Sequence, residues 1–127
     1  MADQDDVRHI ARSLPDTVEE ADRFAFSVLN RGKRKAIAWV WLERVELQKP
    51  RVPRADVVAI RVAGQVDKES LIAADPEKFF TEPHYHGFPA VLVRLPAIEA
   101  AELEELLIDA WRIQAPRALV NDYDASH

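Results

Sequence analysis

Between Phe24 and Trp41 the chain reads FAFSVLNRGKRKAIAWVW. Phe24, Phe26 and Val28 alternate with Ala25, Ser27 and Leu29. After Asn30 to Lys35 a second run begins in which Ile37, Trp39 and Trp41 recur with a period of two. Period two on both sides of a short polar segment is the signature of two strands joined by a hairpin. Gly32 supplies the positive φ that such a turn requires, and Asn30 tolerates the same region. A hairpin commits the chain to antiparallel pairing. Ile37, Trp39 and Trp41 are expected to share one face.

The remaining segments build a domain around that hairpin. Val7, Ile10, Ala11 and Leu14 fall at helical spacing behind Asp5 or Asp6 as cap, and Pro15 marks the end. ERVELQKPRVPRAD (Glu43 to Asp56) carries Pro50 and Pro53 and reads as an exposed connection that begins as a strand extension. Val57 to Ala63 is nearly continuous in apolar, β-branched character, as a central strand is. Asp67 is expected to cap a short helix and Asp75-Pro76 a second one leading into Phe79 and Phe80, one of which enters the core. Ala90 to Leu95 is another strand. Leu103, Leu106, Leu107, Ala110 and Trp111 stripe a final long helix whose acidic first half complements its dipole. Arg117 to Val120 adds one more turn. The order predicts an α+β fold, a two-layer sandwich of a mostly antiparallel sheet with N-terminal and C-terminal helices packed on it, in a single domain over residues 1–127.

Composition excludes whole classes of chemistry. The chain has 127 residues, enough for a core without staples, and no cysteine, which removes disulfides, thiolate nucleophiles and Cys-based zinc sites together. No run reaches membrane-spanning length, and the acidic start MADQDDVRHI is unlike a signal peptide, so a cytoplasmic protein is expected. The net charge of −5 sets the long-range field against polyanions. Nucleic-acid binding would need a local basic patch.

Several segments together resemble the MmcQ/YjbR-like family: VRHIARSLP (Val7 to Pro15), FAFSVLNRGK (Phe24 to Lys33), LIAADPEKFFTEPHYHGFPAVLVRL (Leu71 to Leu95) and DAWRIQAPRALV (Asp109 to Val120). The resemblance covers most of the chain, and its specificity lies in the combination of ADPEKFF, PHY, GFPAVLVRL and AWR with AP. It implies an α+β sandwich likened to the CyaY or frataxin fold, in a family of small bacterial proteins often labelled DNA-binding. It also implies a "double wing" mode in which β-hairpins serve as wings, and the turn from Arg31 to Lys35 is the segment that could serve here.

Three groups of residues could carry function. Arg31, Lys33, Arg34 and Lys35 set cations on the hairpin tip, suited to phosphate oxygens without base readout, and equally to a solvated turn that discourages edge aggregation. Arg51, Arg54, Arg61 and Arg94 would extend that patch only if the sheet brings them to the same side. His84, Tyr85, His86 and Arg94 mark a ligand edge at the lead-in to the Ala90 strand. In an extended segment His84 and His86 would point to one side, yet two imidazoles with Glu82 fall short of a complete ligand set, and His9 and His127 lie elsewhere. Asp16, Glu19, Glu20 and Asp22 form an acidic turn that lacks the ligand spacing of a calcium loop.

No GxSxG elbow, phosphate-binding glycine loop or helical His-Glu motif occurs, so an enzyme, a metal centre and a cofactor are not expected. Trp39 and Trp41 could stack single-stranded bases or join the core. The first functional reading is therefore a non-enzymatic protein that binds DNA weakly through the basic hairpin tip. The alternative is a module that contacts a protein or small ligand, with no nucleic-acid role.

Overall fold

Helix α1 (Gln4–Ser13) starts two or three residues earlier than the sequence suggests, because Asp3 is its cap. The Asp3 carboxylate accepts from the Asp6 N–H and Asp6 returns the contact to Asp3 N–H, each at 3.0 Å. This reciprocal box satisfies two amides that a cap at Asp5 or Asp6 would leave without partners. The computed structural model that shows this describes residues 1–43, 50 and 52–126.

Six strands follow: β1 (Thr17–Glu19), β2 (Ala25–Asn30), β3 (Lys33–Glu43), β4 (Val52–Arg61), β5 (Phe79–Phe80) and β6 (Ala90–Arg94). They lie in the order β1-β2-β3-β4-β6-β5, every neighbouring pair antiparallel. Helix α2 (Gln65–Ala74) links β4 to β5, while α3 (Ala100–Gln114) and α4 (Arg117–Ser126) close the chain. Val7, Ile10 and Ala11 of α1 and Leu103, Leu107, Ala110 and Trp111 of α3 join Phe26, Val28, Val58, Ile60, Val91 and Val93 of the sheet in one core. The result is the two-layer α+β sandwich. Its helix-side face is sealed by α1 and α3.

One departure from simple alternation matters most. Phe26 pairs with Ala38 but Ser27 pairs with Ala36, so Ile37 is an extra residue without a partner, a β-bulge. Ile37 is buried in the helix-side core, whereas Trp39 and Trp41 pack with Val57, Ala59 and Leu92 on the opposite face. The expectation that the three share a face is corrected. Unbroken alternation would have put two indoles and Ile37 under the same helices.

Other boundaries shift for local reasons. Acidic β1 lies in a segment that reads as a loop. The connection from Glu43 is shorter than expected, since Val52 to Asp56 belong to β4; residues 44–49 and 51 lie outside the described ones. Pro53 pairs with Leu42, and β6 pairs only from Val57 onward, so the missing proline N–H falls where β4 has one neighbour. α2 starts after Gly64, with Asp67 in its first turn rather than at its cap. Asp75 ends α2, and its carboxylate accepts from Glu77 N–H (3.2 Å) and Lys78 N–H (3.3 Å), making a turn in place of a second helix. Phe79 then enters the helix-side core and Phe80 the other cluster. α4 runs for 10 residues instead of one turn. Among the described residues no helix is long and apolar enough to cross a membrane.

Leu107 is fully buried between the layers, while Val66 on α2 is 76% exposed. Leu107→Ala is expected to cost about 2–5 kcal/mol in urea denaturation. Val66→Ala should stay within about 0.5 kcal/mol of the parent.

Candidate functional site

The hairpin turn holds only two residues, Arg31 at φ 55° and Gly32 at φ 79°, both in the left-handed region that matches strand twist in a type I′ turn. Lys33, Arg34 and Lys35 are already in β3, so their side chains alternate. Lys35 lies opposite Val28, a helix-side core residue, and Lys33 opposite Asn30, whose amide donates to the Gln114 carbonyl of α3 at 2.8 Å. Gln114 reaches back to the Ala36 carbonyl at 3.0 Å. These two bonds tie the tip of the hairpin to the end of α3. Arg34, opposite Leu29, takes the other face, where its guanidinium donates to Glu20 at 2.9 Å.

The four cations of the tip therefore do not form one patch. Three of them, Arg31, Lys33 and Lys35, line a hollow of about 440 Å³ with Asn30, Ala115, Pro116 and Arg117. Arg117 is the cation that the sequence did not reveal. It is distant along the chain, and only the length of α3 and the break at Pro116 bring it beside the hairpin. The first turn of α4 starts at the same hollow, where unpaired amides and the helix dipole add positive potential.

Among the described residues, the further arginines do not enlarge this patch. Arg54 pairs with Asp56 at 3.2 and 3.1 Å, and Arg61 donates to the Val62 carbonyl at 3.2 Å. Arg94 lies 4.0 Å above the Phe80 ring and donates to the carbonyls of Pro76 (3.3 Å) and Glu77 (3.2 Å). Those contacts hold the turn after α2. Arg51 lies outside the described residues.

The histidine segment folds differently from an extended lead-in. Pro83–Tyr85 is a turn of 3-10 helix, which removes the alternation that would align His84 with His86. Among the described residues no group of three metal-ligating side chains assembles. Instead, the Tyr85 hydroxyl accepts from the Trp39 indole at 3.0 Å, His84 sits edge-on to Tyr85 at 5.7 Å, and Phe88 lies edge-on to Trp39 and Tyr85 at 6.1 and 6.2 Å. Of the expected ligand edge, His84 and Tyr85 come together. His86 is exposed, and Arg94 is engaged elsewhere. Behind the loop, Lys68 is buried and its ammonium donates to the carbonyls of Tyr85 (2.6 Å) and Phe88 (3.1 Å). Burial lowers its pKa from the usual lysine range.

The acidic turn resolves into ion pairs. Glu19 accepts from Arg8 Nε at 3.1 Å and Arg8 Nη2 at 3.1 Å, and from Arg12 at 3.0 Å, while Glu20 holds Arg34. These carboxylates fix β1 and the hairpin to their neighbours.

No family model matches the chain. Uncharacterised proteins of Mycobacterium tuberculosis (Rv2570) and Mycobacterium bovis (Mb2600) are each 41% identical over 135 residues, spanning 99% of this chain and 98% of theirs. The chain belongs to their family. A crystal structure of the Deinococcus radiodurans protein DR2400, assigned to the domain family DUF419, superposes on this family member with a TM-score of 0.64. That likeness covers 87% of this chain and 77% of the other at 24% identity, and it shows the shared fold.

The guanidinium of Arg8 holds the Glu19 carboxyl below its ordinary pKa, with Arg12 assisting. A depressed carboxyl stabilises the fold above its unfolded value, about 4.3, and loses that contribution as pH falls through the folded value. Glu19→Gln is expected to lower stability near neutrality and to flatten the acid limb of a denaturation series below about pH 4.3. An acid limb identical to that of the parent would show that the pair is not coupled to folding.

Proposed function

We propose that this protein is a non-enzymatic, MmcQ/YjbR-like binding domain that holds nucleic-acid phosphates weakly at its hairpin tip, without reading bases. The observation that supports this is the convergence of Arg31, Lys33, Lys35 and Arg117 on one hollow beside the start of α4. Guanidinium and ammonium groups around a concavity suit phosphate oxygens, and helix amides suit them equally. The tie between Asn30 and Gln114 fixes the spacing of the cations before any partner arrives. Against this local potential stands the net charge of −5, so binding should be weak and should fade quickly with salt.

The non-enzymatic reading rests on how the candidate groups are engaged. The Ser13 hydroxyl donates to the Ile10 carbonyl at 2.6 Å, and His84 packs against Tyr85. Neither makes a nucleophile and base pair. The second reading, a module for a small ligand, is favoured by the aromatic hollows on the opposite face of the sheet.

Fluorescence anisotropy with a short labelled duplex and its single strand, across about 50 to 200 mM salt, tests the first reading. The expected log–log slope is about −3, and its magnitude should fall by about 0.9 for each phosphate no longer neutralised. Arg31→Asn, which keeps the left-handed turn, combined with Lys33→Ala, Lys35→Ala and Arg117→Ala, should abolish binding. Arg34→Ala should change it less than about twofold, because Arg34 serves Glu20 on the other face. No binding at the lowest salt, or equal weakening in both variants, would contradict the reading.

A further inference from the structure

The face of the sheet turned away from α1 and α3 is uneven. Around β2 it carries small side chains, Ala25, Ser27 and Ala36, but toward β5 it gathers Trp39, Trp41 and Phe80. The segment after β5 then adds Tyr85 and Phe88 on top. A purely structural cover would bury its rings, yet Phe88 remains 44% exposed. Two hollows open beside it. One, of about 280 Å³, is walled by Trp39, His84, Tyr85 and Phe88, and the other, of about 210 Å³, shares Trp39, His84 and Tyr85 with it and adds Arg23.

The walls are fixed in advance. The Trp39 to Tyr85 bond locks two rings together, and Lys68 clamps the carbonyls of Tyr85 and Phe88 from below. Gly87, at φ 78°, turns the chain so that Phe88 comes back over Trp39. Burying an ammonium is unfavourable unless it is well bonded, so placing Lys68 under this loop is a substantial structural commitment to its shape. Rings set nearly perpendicular to one another let a planar guest stack on one wall and meet another edge-on.

Charge then narrows the guest. Among the described residues, neither hollow is lined by a carboxylate. Arg23 is exposed and has no ion pair among the described residues, and His84 stands beside it as a further donor. Rings alone would attract a quaternary ammonium, but Arg23 at the rim opposes one. We propose that Trp39, His84, Tyr85 and Phe88, with Arg23 at the rim, bind a small planar aromatic molecule that carries an anionic group. The site lies on the opposite face from the basic hollow and does not rest on the phosphate-binding reading.

The indole N–H resonances of the full-length protein provide the test. The Trp39 indole is bonded to Tyr85, while the Trp111 indole is bonded to the Pro15 carbonyl at 2.9 Å in the other layer and serves as an internal control of folding. The probes are indole-3-carboxylate, adenosine monophosphate, benzylamine and cyclohexanecarboxylate. Saturable shifts of the Trp39 resonance are expected with an aromatic anion, at least about tenfold weaker with benzylamine and cyclohexanecarboxylate, with Trp111 unmoved. Stronger binding of the first probe assigns a carboxylate, and of the second a phosphate. Arg23→Ala should weaken the titration about tenfold and Phe88→Ala should abolish it, each with the Trp111 resonance in place. A Trp39 resonance unmoved by both aromatic anions would overturn the proposal. So would equal binding of benzylamine, or titrations unaffected by either substitution.

Discussion

One unpaired residue in β3, Ile37, decides what each face of this sheet presents. Side chains along a strand alternate, so a single inserted residue exchanges the faces of everything beyond it. Before the bulge, Lys33 and Lys35 point to the helix side; after it, Trp39 and Trp41 point away. Without it the two lysines, Ile37 and both indoles would compete for one surface, against α3 and its buried Trp111. With it, Ile37 fills the core. The cations end beside α4, Trp39 ends under the loop from Pro83 to Pro89, and Trp41 ends against Phe80.

Both regions are then held by polar contacts that the apolar core could not supply. Asn30 and Gln114 join the hairpin tip to α3, while Lys68 and the Trp39 to Tyr85 bond support the aromatic loop. The Lys68 bonds satisfy a buried ammonium whose desolvation would otherwise be costly, and each contact fixes the position of exposed side chains nearby. The carboxylates at the end of β1 and just after it also fix side chains in place. Glu19 and Glu20 draw Arg8, Arg12 and Arg34 toward the sheet edge. In doing so they hold Arg34 on the face away from Lys33 and Lys35.

Much of the fold was legible because it follows periodicity. The hairpin and the stripes of α1 and α3 each have an apolar face that must be covered, while β6 and β4 from Val57 onward are buried on both faces and read as nearly continuous apolar runs. What was not legible depends on contacts between distant segments. No local signal distinguishes Ile37 as a bulge from Ile37 as the first of three residues on one face. The placement of Arg117 requires the length of α3, and the engagement of Arg34 requires β1, a strand of 3 residues without apolar alternation. Asp75 reads as a capping residue, but the same carboxylate that could start a helix here closes a turn. The histidines of TEPHYHGFPAVLVRL stand out as a pair; the structure sets His84 against Tyr85 beside one hollow and leaves His86 exposed and outside it.

The division of the two faces by Ile37 is open to direct measurement by nuclear Overhauser spectroscopy on protein with labelled isoleucine methyls. Ile37 methyls are expected to show cross-peaks to helix-side core side chains such as Leu103, Leu107 or Trp111, while the Trp39 indole shows them to the Tyr85 ring. Cross-peaks from Ile37 to Tyr85 or Phe88, in common with Trp39, would contradict the bulge and with it the separation of the basic and aromatic surfaces.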